Sequence, residues 1–426
     1  MAIKFLGLHH RKAPSYVDAP VFCLTPGTVL RYARTRVPDR QARRLVVGTR
    51  DWYERGYRMS THWTRRQFLT HVGVAAAAIQ TFEHIDPCCM FAADVKTADK
   101  DLFELKQVGD GVYAAIAAPR YKVNSNAAVI LTNDGVVVVD SHSKPSAAQA
   151  LYREIQGITK QPIRKVINTH YHWDHWQGNQ VYAAAVPNLE IITSERTKDN
   201  LTKPDAGVGG LSYIEKQLTT VPKEIEQLKN DIQKASTPEQ KARLEANLQQ
   251  AEAYLEELKH LKPALPTRTV ASSVTLNEQG REIQVLVLGR AHTDGDVFIY
   301  LPREKVVASG DALIDWMPFL GDGYPEEWVE TLTALEKFDF THIIPGHGEV
   351  VTKDQLGFFR GFITDLIAAV KKADADKASL EEMQKGIADQ LASKYEQGMS
   401  KYPLGRYRDR IGPSVEIVYK KVVKKA

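Results

Sequence analysis

Residues 170–175 constrain this chain more than any other stretch. They read His170-Tyr171-His172-Trp173-Asp174-His175 and follow a predicted buried strand over 163–168. Three imidazoles and a carboxylate cannot join a core without partners. Neutral imidazole and carboxylate are the usual ligands of zinc and other borderline divalent metals. His170 and His172 are two apart, so on extended backbone they point the same way. Asp174 and His175 come where the backbone turns into a helix, and so can face a second ion. The fold must therefore deliver a strand end to a place where further ligands converge.

Those ligands recur at later strand ends. Ala291-His292-Thr293-Asp294-Gly295-Asp296 follows the apolar run 283–288, Ser309-Gly310-Asp311 follows Val306-Val307, and Pro345-Gly346-His347-Gly348 follows Ile343-Ile344. Each places one candidate ligand at a strand exit, where ligands converge in layered α/β folds. Earlier strands are predicted over 112–118, 127–131 and 136–139, with an Asp134-Gly135 turn between the last two. Val136-Val137-Val138-Val139 is continuously apolar, as for a strand buried on both faces, and ends at Asp140. A helix is predicted over 145–156. Further strands are predicted over 270–276, 283–288, 297–301 and 306–309, and closing helices over roughly 354–372 and 379–396. Residues 212–262 differ in kind. Ile214, Leu218, Val221, Ile225, Leu228 and Ile232 recur every three or four residues, and Leu244, Leu248, Ala251, Leu255 and Leu258 do so again. Ser236-Thr237-Pro238-Glu239 between them reads as a helix start. An antiparallel helical hairpin is predicted, as a lid, a dimer arm or an ornament.

The order H-x-H-x-D-H, then His, then Asp, then Gly-His, resembles the metallo-β-lactamase superfamily over about Phe103 to Val351. The resemblance implies an α/β fold, an αββα sandwich with an inserted helical hairpin, and a binuclear site at one edge. It implies that His170, His172 and His292 hold one metal, that Asp174, His175 and His347 hold the other, and that Asp311 bridges both. Asp140 matches the family's structural aspartate beside the metals. The implied cofactors are two divalent ions, zinc first, with iron or manganese as alternatives. Such a pair, roughly 3.5–4 Å apart, lowers the pKa of a shared water towards ~7 and yields a bridging hydroxide as nucleophile. Asp174 is the expected catalytic residue, orienting that hydroxide or passing a proton to the leaving group. The bond attacked would be an ester, lactone, thioester or amide. Cys-bearing β-lactamases carry Cys where this chain has Asp311, so β-lactam hydrolysis ranks behind, beside a mononuclear iron enzyme of the persulfide-dioxygenase type and a non-catalytic metal-binding protein. His142, His260 and His342 are assigned no ligand role, and His142 is expected to support the site or to be exposed.

The first 92 residues carry 14 Lys/Arg against 6 Asp/Glu. The whole chain is +4, so the remainder is −4, which argues against nucleic acid as a partner. Thr64-Arg65-Arg66-Gln67-Phe68-Leu69, followed by the mild apolar stretch 72–79, resembles a twin-arginine export signal. It predicts a periplasmic or exported protein, with a signal over 59–93 and cleavage near Ala92 and Ala93. Met59 stands directly before it, so residues 1–58 are read as a mis-assigned extension. The expected metal-binding domain is 94–353 and the C-terminal helical extension 354–426. Cys23, Cys88 and Cys89 all precede it, leaving no thiolate ligand. No run of ~18 apolar residues occurs, so stable membrane insertion is not expected. The expected partner is a small-molecule substrate with an apolar portion, because Trp316-Met317-Pro318-Phe319-Leu320 follows Asp311 and would overhang the metals, unless it only packs a loop. A homodimer through the hairpin is the other partner considered.

Overall fold

The structure is a computed structural model. It describes residues 16–23, 31–38, 102–118, 122–204, 207–401 and 406–425. The export-signal residues 64–69, Met59, the cleavage region 92–93, Cys88 and Cys89 lie outside the described residues. The chain divides into two compact units, Met1–Ala93 and Asp94–Ala426. In the first, β1 (Tyr16–Cys23) and β2 (Arg31–Pro38) pair antiparallel, with Tyr16 opposite Pro38. That pairing was not anticipated from the scattered arginines.

The second unit opens with β3 (Phe103–Gly109), β4 (Val112–Ala117), β5 (Ala127–Leu131) and β6 (Val136–Val139) in antiparallel succession. Helix α1 (Pro145–Ile158) crosses to β7 (Ile163–Ile167), parallel to β6. The short helices α2 (Trp173–Trp176) and α3 (Asn179–Ala185) lead to β8 (Glu190–Ser194) and α4 (Glu195–Thr202). The hairpin follows as α5 (Gly210–Gln233) and α6 (Pro238–Lys259), and β9 (Arg268–Val270) completes a seven-stranded sheet in chain order. A second sheet of six strands runs β10 (Val274–Glu278), β11 (Arg281–Leu286), β12 (Phe298–Leu301), β13 (Val306–Gly310), β14 (His342–Pro345) and β15 (Val351–Thr352). Helix α7 (Pro325–Leu335) crosses between β13 and its parallel neighbour β14. The chain closes with α8 (Lys353–Ala375), α9 (Leu380–Met399), α10 (Tyr407–Val418) and a π-helical turn, Tyr419–Lys424.

Strand alternation makes the four layers. Val137 and Val139 of β6 join Ile167, Ile283, Val285, Ile299 and Val306 between the two sheets. Val136 and Val138 turn the other way, onto Leu151 and Ile155 of α1. Phe298, Tyr300 and Val307 leave the second sheet on its far side and meet Trp328, Phe359, Phe362 and Tyr395. A strand with helices on one face and a sheet on the other has no solvated side, which is why four consecutive valines fit. This is the expected αββα sandwich.

Two expectations need correction. Residues 270–276 are not one strand: β9 ends in the first sheet and β10 begins in the second, because the chain crosses between sheets at Ala271-Ser272-Ser273. The closing helices expected over roughly 354–372 and 379–396 are not the last: α10 and the π turn follow them. Tyr407, Ile411, Val415 and Val418 pack them onto the outer face of the second sheet's helices. Burial there outweighs Gly412 and Pro413 inside the helix.

The hairpin is fastened to the loop after β7. Val221, Ile225, Ala251, Tyr254 and Leu258 form its seam, and Trp173 packs against it. Buried Gln177 donates to Gln217 Oε1 (2.8 Å), Gln217 donates to the Tyr254 hydroxyl (2.8 Å), and that hydroxyl donates back to Gln177 Oε1 (3.1 Å). Glu257 accepts from the Ser146 backbone N–H and hydroxyl at the start of α1. Among the described residues no helix is long and apolar enough to cross a membrane.

Candidate metal centre

The parallel strands β6, β7, β13 and β14 end on one side of the sandwich, and Asp140, residues 170–175, Asp311 and His347 stand just past those ends. His292 joins them from the turn before β12. In that turn Asp296 accepts the Thr293 backbone N–H (2.8 Å) and hydroxyl (2.7 Å), which folds the loop and aims His292 inward. Gly310 is left-handed, with φ 52°, and an added β-carbon there would collide with the Thr169 side chain, so no other residue fits against the ligand loop. The Asn126 amide ties the two sheets at this end by donating to the Pro345 (2.9 Å) and Gly348 (2.8 Å) carbonyls.

All seven residues singled out in the sequence come together, in two groups. His170, His172, His292 and Asp311 offer ligand atoms within 4.8 Å of one another, and Asp174, His175 and His347 do the same. Asp311 lies between the groups. Its Oδ1 is 3.2 Å from His175 Nε2, and its Oδ2 is 3.2 Å from His347 Nε2 and 3.5 Å from His292 Nε2. Asp174 Oδ2 is 3.4 Å from His347 Nε2 and 3.9 Å from His175 Nε2. A tetrahedral ion with bonds of ~2.0–2.1 Å holds its ligands ~3.3 Å apart.

Each histidine has one ring nitrogen committed to the protein. His175 Nδ1–H donates to Asp140 Oδ2 (2.8 Å), and His347 Nδ1–H to the Asn124 carbonyl (3.0 Å). His292 Nδ1–H donates to the Phe319 carbonyl (3.2 Å), and His172 Nε2–H to Asp322 Oδ2 (2.9 Å). His170 Nδ1–H donates to the Thr169 hydroxyl (3.0 Å), which donates in turn to Asp140 Oδ2 (2.8 Å). In the neutral ring such partners fix the tautomer, so the lone pair of the other nitrogen faces inward. His170 Nε2, His175 Nε2 and Asp311 Oδ1 are buried without any hydrogen-bond partner. His172 Nδ1 and His292 Nε2, both bare, face each other at 2.9 Å. Lone pairs that close repel unless a cation lies between them, so the donor set fits metal.

Burial lowers the affinity of His170 for a proton and takes the pKa of His292 to about 3. Burial works the same way on His175 and His347, but neighbouring carboxylates outweigh it and raise both: Asp140, Asp311 and Asp174 for His175, Asp311 and Asp174 for His347. Burial would raise Asp311, yet His347 and His175 hold it well below the usual carboxylate range.

The metallo-beta-lactamase superfamily profile matches residues 120–347, more than half of the chain. The chain belongs to the metallo-beta-lactamase superfamily. It is 21% identical over 230 residues to the linear primary-alkylsulfatase of a Pseudomonas species, covering 51% of this chain and 40% of that protein. The chain thus spans less than half the length of this relative. Among solved structures, a metallo-beta-lactamase from Pontibacter korlensis is 17% identical with a TM-score of 0.43, covering 62% of this chain and 99% of that one. Superfamily members are typically hydrolases, and the two His/Asp groups are ones that could hold divalent metal.

Sequence reasoning overlooked Asp322, Thr169 and the Asn124 and Phe319 carbonyls. Asp322 carried one signal, an acid between two glycines just after the apolar loop. His142 is not exposed: it is buried, donates from Nδ1 to the Ser125 carbonyl (2.8 Å) and stacks on Phe103, and burial takes its pKa to about 4. His260 ends α6 and His342 begins β14 at the surface, away from both groups. The apolar loop does two things. Trp316, Met317 and Leu320 are core, whereas Phe319 is 36% exposed and lies against His172 and His292.

Proposed function

We propose that this protein hydrolyses an ester-type bond in a small substrate with an apolar portion, using two divalent ions, zinc first. The observation that carries the reading is a set of five histidines, four buried and His347 half-buried, whose outer nitrogens are all committed, leaving five inner nitrogens gathered in the two groups about Asp311. His170, His172 and His292 would hold one ion, Asp174, His175 and His347 the other, with Asp311 shared. When bound, the ions would supply Lewis acidity and a water acidified towards neutral pH. Asp174 Oδ2, beside His347 and His175, is placed to hold a proton during turnover and hand it to the leaving group. Asp140 keeps His175 in the ligating tautomer throughout. Phe319 offers the one large exposed apolar surface among the described residues, beside the first group, for the substrate's apolar portion.

Within the ester class, a sulfate ester of an apolar alcohol is favoured by the alkylsulfatase relative and by Phe319. Thioesters, lactones, amides and β-lactams rank behind it. Elemental analysis followed by a panel of alkyl sulfates, carboxyl esters, lactones, thioesters and β-lactams tests this. Two ions per chain and turnover of an ester are expected; a single redox-active iron, or no turnover on any ester, would sink it. Thr64 to Leu69 supports export as a proposal alongside, and changing Arg65 and Arg66 to Lys should hold the protein in the cytoplasm.

A further inference from the structure

Three basic side chains of the C-terminal segment, Lys401 just past α9, Arg410 on α10 and Lys421 on the π turn, all beyond the stretch that matches the superfamily, reach back to one loop. Lys401 Nζ donates to Asp315 Oδ1 (2.7 Å), and Arg410 Nη1 donates to the Met317 carbonyl (3.2 Å). Lys421 Nζ donates to the Gly321 (2.8 Å) and Gly323 (2.7 Å) carbonyls. All these acceptors lie within 315–323. The same loop carries the Phe319 carbonyl, which orients His292, and Asp322, which orients His172.

The grip of Lys421 is the most pointed. Its two acceptors flank Asp322 on either side. A Gly-Asp-Gly segment has little conformational preference of its own. Left alone, the Asp322 carboxylate would sample many directions. The ammonium fixes the peptide plane before Asp322 through the Gly321 carbonyl and the plane after Gly323 through the Gly323 carbonyl. The Gly323 N–H donates to the Leu320 carbonyl (3.1 Å) and holds the plane between them, so the backbone that carries the carboxylate is fixed on both sides. The clamp is itself anchored, since Val415, Val418 and Val422 share a hydrophobic cluster with Trp316, Met317, Leu320 and Trp328. Lys421 also stands on the π turn, a local widening of the helix often found at functional positions.

We propose that the C-terminal helices act as a clamp on the His172–His292 half of the metal centre, with Lys421 as the positioning residue that sets Asp322. The proposal rests on the reading that His170, His172, His292 and Asp311 hold an ion. The test is stepwise titration of the purified metal-free protein with zinc against a competing chelator, and with cobalt(II) followed by its visible absorption. His347→Ala, which removes a ligand of the other group only, identifies which step belongs to which half. Lys421→Met should weaken the His172–His292 step by about tenfold and shift its cobalt absorption, leaving the other step alone, as outer-shell changes do. Lys421→Gln, which keeps a donor, should lose less and serves if the Met variant folds poorly. Asp322→Ala should lose at least as much, and combining it with Lys421→Met should add nothing, because Lys421 acts through Asp322. Additive losses, equal weakening of both steps, or unchanged affinity in Lys421→Met would overturn the clamp. Failure of the unaltered protein to bind any metal would instead strike the metal reading itself, and this proposal with it.

Discussion

The two halves of the metal centre use the same side chains but are held from different places. His175 and His347 are oriented by Asp140 and the Asn124 carbonyl, both on loops at the ends of the first sheet's strands. His172 and His292 are oriented by Asp322 and the Phe319 carbonyl, on a loop gripped by helices at the far end of the chain. Only His170 in that half leans on the first sheet, through Thr169 and Asp140. The halves differ electrically as well. Burial makes His170 and His292 poor proton acceptors, whereas carboxylates make His175 and His347 good ones. One half is thus tuned by desolvation and remote support, the other by nearby charge and local support.

The change with the largest expected effect should erase the comparison. Asp311→Ala removes the carboxylate both halves share, so both ions should weaken by more than about 100-fold, beyond the range of outer-shell substitutions. Chelator competition that still finds two tight ions would remove Asp311 from the bridge. Asp140→Asn should instead separate the halves. The His175 side should lose about 10–100-fold, and the His170 side less, since Thr169 stands between. Equal losses would mean that Asp140 does not discriminate.

Acidity should sharpen the contrast further. A ligand that holds a proton must release it to bind metal, at a cost of about tenfold in apparent affinity for each pH unit below its pKa. His175 and His347 sit above the ordinary imidazole value of about 6.5, while His292 is near 3. As pH falls from 8 towards 5, the Asp174–His175–His347 ion should therefore leave first. Simultaneous loss of both ions in a pH titration would contradict the electrical asymmetry. The smallest effect is expected at the hairpin. Tyr254→Phe breaks the buried ring with Gln177 and Gln217 and should cost about 1–3 kcal/mol in thermal unfolding, with little change in metal stoichiometry. An unchanged melting temperature would show that the ring contributes nothing to fastening the hairpin.

Much of this was legible because strands in this fold end abruptly. Val136 to Val139 stops at Asp140, and Val306 to Ser309 leads into Gly310-Asp311, so a one-dimensional pattern marks both burial and site. Asp322 was not legible, since its partner His172 lies 150 positions away and no period links them. The break at Ala271-Ser272-Ser273 was hidden for a similar reason: apolar residues continue on both sides, and only the tertiary fold sends them to different sheets. In the hairpin, the heptad spacing located the seam but pointed to Leu255. The structure buries Tyr254 more deeply, because its hydroxyl finds Gln177 and Gln217 below. Those contacts fasten the hairpin to the segment that follows the ligand cluster.

Lys122, Asn124, Asp140 and His142 are four of the eight non-glycine residues with positive φ among the described residues. They border the His175–His347 half, and two of them, Asn124 and Asp140, orient its imidazoles. Each such conformation costs about 1–3 kcal/mol and persists only where its surroundings enforce it. The loops at 122–124 and 140–142 are therefore springs held cocked by the groups they serve. Once metal is withdrawn and the imidazoles are free to reprotonate, these loops should be the first part of the sandwich to relax. Amide hydrogen exchange on the metal-free protein should show it there before it reaches β6 or β7.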